Sequence, residues 1–405
     1  MKKLALIFLI VSLLGAIGWS LAAAPVGTSA QKAAPSKKSS PPEKGLPAEK
    51  NVSEGQPAAA PGAGEERTGP SGDGQRLEAF KSSLHHTGRG LAFYYGKEQQ
   101  GLELLTGQPY EKLACKQCHI GSCQGCHQPV KKTKGQPDRL GPVDQKTCLQ
   151  CHDRLAVLQQ KLRESKKEDV HAALGMTCLD CHTAREMHGD GKIYQSQKQP
   201  EAMDARCENC HTDIANTYAH RKHYQKISCQ ACHAVLVANM ISTQWEPLAG
   251  EGKRLAVPVA DWIFLVGRGE KMTAAALETF VTTEGKTFLR FTPDGSHAVA
   301  RQGRPCGECH GSTWMLQAQQ GKVRLSWEEK GAIQKGKGVI PGRAGIEYGL
   351  VHQRFEKGKW TTLEPAGPAL VQYAGWSGPV SDKHFRKMLK FKSEEPEGKD
   401  KKRKK

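Results

Sequence analysis

The chain has 405 residues, a formal charge of +18, 38% hydrophobic and 6% aromatic residues, and fourteen cysteines. So little apolar surface argues against a large core built from protein side chains alone. The positive charge is not accompanied by a stripe of basic and aromatic residues, so nucleic acid is excluded as a partner.

The chain opens with Lys2-Lys3 and an apolar run from Leu4 to Ala24. A basic start, an apolar centre and the small residues Ala22-Ala23-Ala24 have the pattern of a secretory signal. The run is also long enough to span a bilayer. Residues 1–24 therefore read equally as a signal peptide, cleaved after Ala22, or as an N-terminal membrane anchor. Either reading exports the rest of the chain to the periplasm, tethered to the inner membrane if the segment is retained. No cysteine follows the run, which excludes a lipoprotein anchor.

Residues 25–75 are rich in Pro, Ala, Gly, Ser, Lys and Glu and hold no aromatic residue. Such a composition predicts a disordered linker, whose ends as a flexible coil would lie about 40 Å apart. It reads as a tether for whatever follows or as a leader without a task. Folded structure is expected from about Arg76, with a helical pattern over Leu77 to Leu84, then His85 and His86. Phe93, Tyr94, Tyr95, Leu102, Leu104 and Leu105 are expected to pack on flat apolar cofactor faces.

Every cysteine falls in a C-x-x-C-H motif: Cys115-Cys118-His119, Cys123-Cys126-His127, Cys148-Cys151-His152, Cys178-Cys181-His182, Cys207-Cys210-His211, Cys229-Cys232-His233 and Cys306-Cys309-His310. A disulfide framework has no reason to place histidine after every second cysteine, and zinc sites do not follow that rule. In an exported chain the motif attaches haem c: the thiols bind the two vinyl groups and the histidine is the proximal iron ligand. Seven motifs predict seven covalent haems. Because only Ile120, Gly121 and Ser122 separate the first two motifs, their porphyrins are forced close together.

The first six motifs define a six-haem domain at 76–235, with short helices starting at or near each motif. The fold is expected to be mainly α and irregular, with the haems forming the core. Haem attachment is then coupled to folding, so the apo chain should not fold. A gap of 72 residues follows His233. Within the segment 236–305, Arg254 to Val266 and Thr279 to Phe291 read as two or three strands. Turns at Thr283 to Lys286 and Pro293 to Gly295 make a small β-rich insertion around 250–295. It would serve as a docking or access element, or simply pack against the haems. Residues 306–388 carry the seventh motif and a glycine-rich segment expected to wrap the cluster and return a distal ligand. Residues 389–405 form a charged, basic tail expected to be disordered.

Nine histidines lie outside the motifs: His85, His86, His171, His188, His220, His223, His297, His352 and His384. Seven haems need seven distal ligands, so two can be spared. Neutral imidazole is a natural ligand for haem iron. His171, His188, His220 and His223 lie close to motifs and rank first, followed by His85, His86 and His297. His352 and His384 rank last. Met176 and Met187 are alternative ligands that the histidine count makes unnecessary. The haems also offset charge, contributing roughly −7 when oxidised and −14 when reduced through their propionates.

These motifs resemble those of multihaem c-type cytochromes of anaerobically respiring bacteria. Tyr218-Ala219-His220-Arg221-Lys222-His223, shortly before Cys229, is similar to the histidine-pair pattern of class III cytochromes c. There, the two histidines serve as distal ligands to different haems. The Cys178 to His188 region, with His188-Gly189-Asp190-Gly191, is similar to segments of octahaem cytochromes related to tetrathionate- and hydroxylamine-converting enzymes. The resemblance covers about half the chain. It implies an electron carrier acting with other redox proteins, either cytochromes or a membrane quinol-oxidising complex. The alternative is a reductase of a small sulfur or nitrogen oxyanion, with one haem open or lysine-ligated; carbon monoxide or nitrite binding would discriminate the two.

Overall fold

The computed structural model describes residues 73–112, 119–130, 140–245, 254–259, 261–356 and 359–390. The signal or anchor at 1–24, nearly all of the linker at 25–75, the tail beyond Lys390, and Cys115 and Cys118 lie outside the described residues. Among the described residues no helix is long and apolar enough to cross a membrane.

The first part is made of short helices joined by irregular chain. Helices run over Asp73–Ser82, Leu84–Thr87, Arg89–Tyr95, Leu102–Thr106, Gln145–Leu149, Asp153–Glu164, Val170–Ala173, Ala184–His188, Tyr218–His223 and Cys229–His233. Several are opened by a polar cap just ahead of a candidate ligand. Ser83 accepts from the His86 amide, Asp169 from those of His171 and Ala172, Thr183 from Glu186 and Thr217 from His220. A cap fixes where the helix starts and therefore which way the histidines in its first turns project. Left-handed glycines stop three of the helices: Gly88 at φ 62° after Thr87, Gly107 at φ 67° after Thr106, and Gly189 at φ 82° after His188. As expected, Cys123–Gly125, Cys178–Asp180 and Cys207–Asn209 form single 3-10 turns, and Cys229–His233 and Cys306–Cys309 short α-helices.

The second part is a β structure larger than the sequence suggested. Its strands are β1 (Asn239–Trp245), β2 (Arg254–Val259), β3 (Trp262–Arg268), β4 (Lys271–Thr282), β5 (Thr287–Pro293), β6 (Lys322–Arg324), β7 (Ser326–Glu329), β8 (Ala332–Lys335), β9 (Gly338–Pro341), β10 (Glu347–Gly349), β11 (His352–Glu356), β12 (Lys359–Leu363) and β13 (Leu370–Tyr373). A seven-stranded sheet is built around β4. One edge of β4 pairs with β5; the other is shared by β3 near its start and β1 near its end. β13 joins β5, β9 joins β3 and β2 joins β1. The Thr283–Lys286 turn falls between β4 and β5, whereas the turn expected at Pro293 to Gly295 does not form, because Pro293 is the last residue of β5 and 294–296 are irregular. The small insertion at 250–295 is corrected to a sheet spanning 239–373, because β9 and β13 return from beyond the seventh motif to complete it. The segment expected only to wrap the haems thus carries strands.

This sheet has its own core. Trp262, Phe264, Leu277, Phe291, Met315, Val323, Leu325 and Phe385 are buried together, with the helices Thr313–Gln319 and Asp382–Leu389 packed against them. The reading that haems supply the core is thereby confined to the helical part. Tyr95 and Leu102, expected on porphyrin faces, instead cluster with Phe280 and Phe288 of the sheet. A buried ion cluster joins the two parts. Glu278 on β4 binds Arg290 on β5, Arg154 from the 153–164 helix reaches the same carboxylate at 2.5 Å, and Arg290 lies 4.5 Å above the Tyr95 ring.

Candidate haem sites

Beyond β5 the chain runs back through the helical part as a strap. The Val235 amide donates to Ala298, the Val170 amide to Val299 and the Ala300 amide to His233. Arg304 donates to the carbonyls of Ala231 and Ala234 beside the sixth motif. The strap carries His297 from the sheet into the motif array.

Six imidazole pairs follow from these placements. His85 faces His152 with ring centres 6.3 Å apart, His188 faces His127 at 6.0 Å, and His171 faces His211 at 6.1 Å. His297 faces His182 at 6.1 Å, His220 faces His233 at 6.2 Å and His223 faces His310 at 6.0 Å. Each pair joins one motif histidine to one histidine from elsewhere. These rings are not in contact. A metal–imidazole bond is about 2 Å long and the ring centre lies about 1 Å behind its nitrogen, so two rings clamping one iron stand about 6 Å apart. The residues therefore fit a haem iron between them.

The ring nitrogens agree. Nδ1 of His127 is 2.8 Å from the Gly141 carbonyl, and Nδ1 of His220 is 2.7 Å from that of Ala215. Nδ1 of His223 is 3.0 Å from the Ala219 carbonyl, and Nδ1 of His233 is 3.0 Å from that of Ala300. A carbonyl on Nδ1 holds the proton there and leaves Nε2 as the metal nitrogen. Burial lowers the pKa of His85, His188 and His310, with the facing imidazole adding to the shift, and that of His152, where His182 of the next motif adds to it. For His297, burial and then His182 depress it to about 4. Neutral imidazoles are what iron requires.

The seventh motif histidine, His119, lies beside the Leu84–Thr87 helix. Its Cβ is 3.4 Å from the point where Gly88 would carry a Cβ, and the Ile120 amide donates to the His85 carbonyl at 2.7 Å. His86 Nδ1 is 2.9 Å from the Ile120 carbonyl, the same engagement as in the paired histidines. Adjacent His85 and His86 thus attend to different motifs. His352 and His384 stand outside the six pairs. His352 is buried on β11, its pKa depressed by burial to about 4, and His384 lies in the first turn of the last helix, Asp382–Leu389, with Nδ1 3.1 Å from Ser381 Oγ.

None of the twelve described cysteines forms a disulfide, and those of successive motifs lie near one another. Burial raises the pKa of Cys126, with Cys151 adding to it; Cys148 responds likewise to burial and Cys178, and Cys181 to burial and Cys210. Cys207 and Cys229 lie within hydrogen-bonding reach of each other. Cys309 is pushed up to about 12 by burial, with Cys232 among its neighbours. The motifs from Cys123 to Cys306 thus succeed one another in space as they do along the chain. One feature the histidine and cysteine count missed is Glu186. Its oxygen lies 2.6 Å from His182 Nδ1, and the signal was the i,i+4 spacing in Cys181-His182-Thr183-Ala184-Arg185-Glu186.

Residues 120–189 match the cytochrome c3 family. A 45-residue stretch, 10% of this chain, is 44% identical to cytochrome c-552 of Haemophilus influenzae, and the match spans only 8% of that protein. No solved structure matches the chain. With seven C-x-x-C-H motifs, these local similarities support a multihaem c-type cytochrome.

Proposed function

We propose that the chain holds seven covalent haems c and conducts electrons along them between redox partners in anaerobic respiration. The observation that carries this reading is the set of six imidazole pairs, each joining a motif histidine to a histidine from elsewhere at 6.0–6.3 Å. His86 is assigned to the His119 haem, which leaves His352 and His384 as the two spare histidines. Bound haem supplies reversible one-electron exchange and no more. What this chain contributes is ligation on both faces, which denies substrate a coordination position, and the ordered succession of neighbouring motifs.

Export through residues 1–24 places the protein in the periplasm, retained at the inner membrane if that segment is not cleaved. There it would meet cytochromes or a membrane quinol-oxidising complex. Its lysine excess would steer acidic partners, an attraction that weakens as salt rises. Carbon monoxide and nitrite added to the dithionite-reduced holoprotein test the assignment. Unchanged haem spectra are expected. Stoichiometric binding at one haem would instead favour an oxyanion reductase.

A further inference from the structure

The hydrogen-bond partners of the ligand histidines are not equivalent. Nδ1 of His86, His127, His220, His223 and His233 meets neutral backbone carbonyls. Nδ1 of His182 meets a carboxylate, Glu186 Oε2, at 2.6 Å. Among the described carboxylates, Asp169 is a looser parallel: its Oδ1 is 3.8 Å from His171 Nδ1, too far for a hydrogen bond, and is occupied capping the 170–173 helix.

Glu186 is held for this contact. Its side chain is 1% exposed, and helix 184–188 places it one turn beyond His182. Its second oxygen accepts the Ala205 amide at 2.8 Å and the Asp204 amide. The adjacent guanidinium does not take it: Arg185 binds Asp204 at 2.7 Å and Asp190 at 3.1 Å. The carboxylate therefore faces His182 rigidly, with the Nδ1 hydrogen between them.

We propose that Glu186 makes the His182–His297 site the hardest of the seven to reduce, a low-potential step in the middle of the array. The inference rests on the bis-histidine reading above. A carboxylate acceptor draws on the Nδ1 hydrogen and makes Nε2 a stronger donor, and a buried negative charge near the metal favours its more positive state. Both effects stabilise the oxidised form relative to sites backed by neutral carbonyls. On the opposite side, half-buried Lys198 lies near His297 and acts in the reverse sense, but Asp294 beside it offsets that charge; the Glu186 charge also reaches His85 of the His152 site, without the Nδ1 contact it makes to His182. One electron from a low-potential redox protein enters; no bond forms or breaks, and the Nδ1 hydrogen stays where it is. The site is fourth of seven in motif order, with three motifs on either side, so it divides the array into two halves.

Glu186→Gln keeps an acceptor of the same length and removes the charge. In a spectroelectrochemical titration of the holoprotein, the lowest-potential step should move upward. At a fixed potential, the oxidised-to-reduced ratio of that one haem should fall about tenfold, equal to 59 mV for one electron, with haem content and spin state unchanged. An unmoved lowest step in a fully loaded variant overturns the proposal and leaves the cytochrome reading intact. Loss of haem from the unaltered protein would overturn the latter instead. Should the variant not load haem, the near-infrared magnetic circular dichroism of the unaltered oxidised protein decides. One charge-transfer band displaced to higher energy supports the role of Glu186, and coincident bands refute it.

Discussion

At the scale of single residues, the proposed ligation depends on where each histidine is released from its helix. Gly189 has φ 82°, and a Cβ there would stand 2.7 Å from the Ala79 carbonyl, immediately after His188. Gly189→Ala should therefore displace His188 from His127 and convert one haem to high spin, visible as a new high-spin signal in electron paramagnetic resonance. Replacing a distal histidine by methionine asks a different question. His223→Met should raise the potential of the His310 haem alone by on the order of 0.1 V, a fraction of the about 0.8 V that axial ligands command. His384→Ala should leave all haem spectra unchanged and alter stability by less than about 0.5 kcal/mol. A spectral change in that variant would make His384, not His86, the seventh distal ligand.

At the scale of elements, the helical part was legible because chemistry fixes its punctuation. Seven C-x-x-C-H motifs announce their turns, and caps such as Thr217 and Asp169 precede the ligands. Choosing which histidine serves which motif was not legible, since His297 reaches His182 across 115 positions of chain through a strap anchored on the sheet. The β structure was underestimated for a related reason. β9 and β13 are four-residue strands that pair with β3 and β5 far away in sequence, and so short a strand has no periodicity to read. The ion cluster between the parts was equally hidden, because nothing in the local sequence marks Glu278 as buried until Arg290 and Arg154 are placed on it. Glu278→Ala leaves those charges without their carboxylate inside the structure. It should destabilise the fold by about 3–5 kcal/mol, measured by denaturant unfolding with far-ultraviolet circular dichroism. Arg154→Ala, at a partly exposed position, should cost far less.

At the scale of the whole molecule, an average composition concealed two different ways of being stable. The sheet and its helices bury Trp262, Phe264, Phe291 and Met315 and close a core from protein alone. The helical part between residues 73 and 233 buries only small clusters such as Leu158 with Leu162 and Tyr95 with Leu102, and on the proposed reading haems complete its interior. The chain made in cells that cannot attach haem should accordingly yield to protease first within 73–233, while a fragment around 239–388 persists longer. Uniform digestion would show that the sheet, too, depends on haem.

The central claim is that every haem iron is clamped by two imidazoles. It is tested most directly by counting haems from the intact mass of the holoprotein and recording the near-infrared magnetic circular dichroism of the same oxidised sample. The account predicts seven haems, all low-spin with bis-histidine charge-transfer bands and no high-spin feature. Fewer than seven haems, or one persistently high-spin or lysine-ligated, would contradict it.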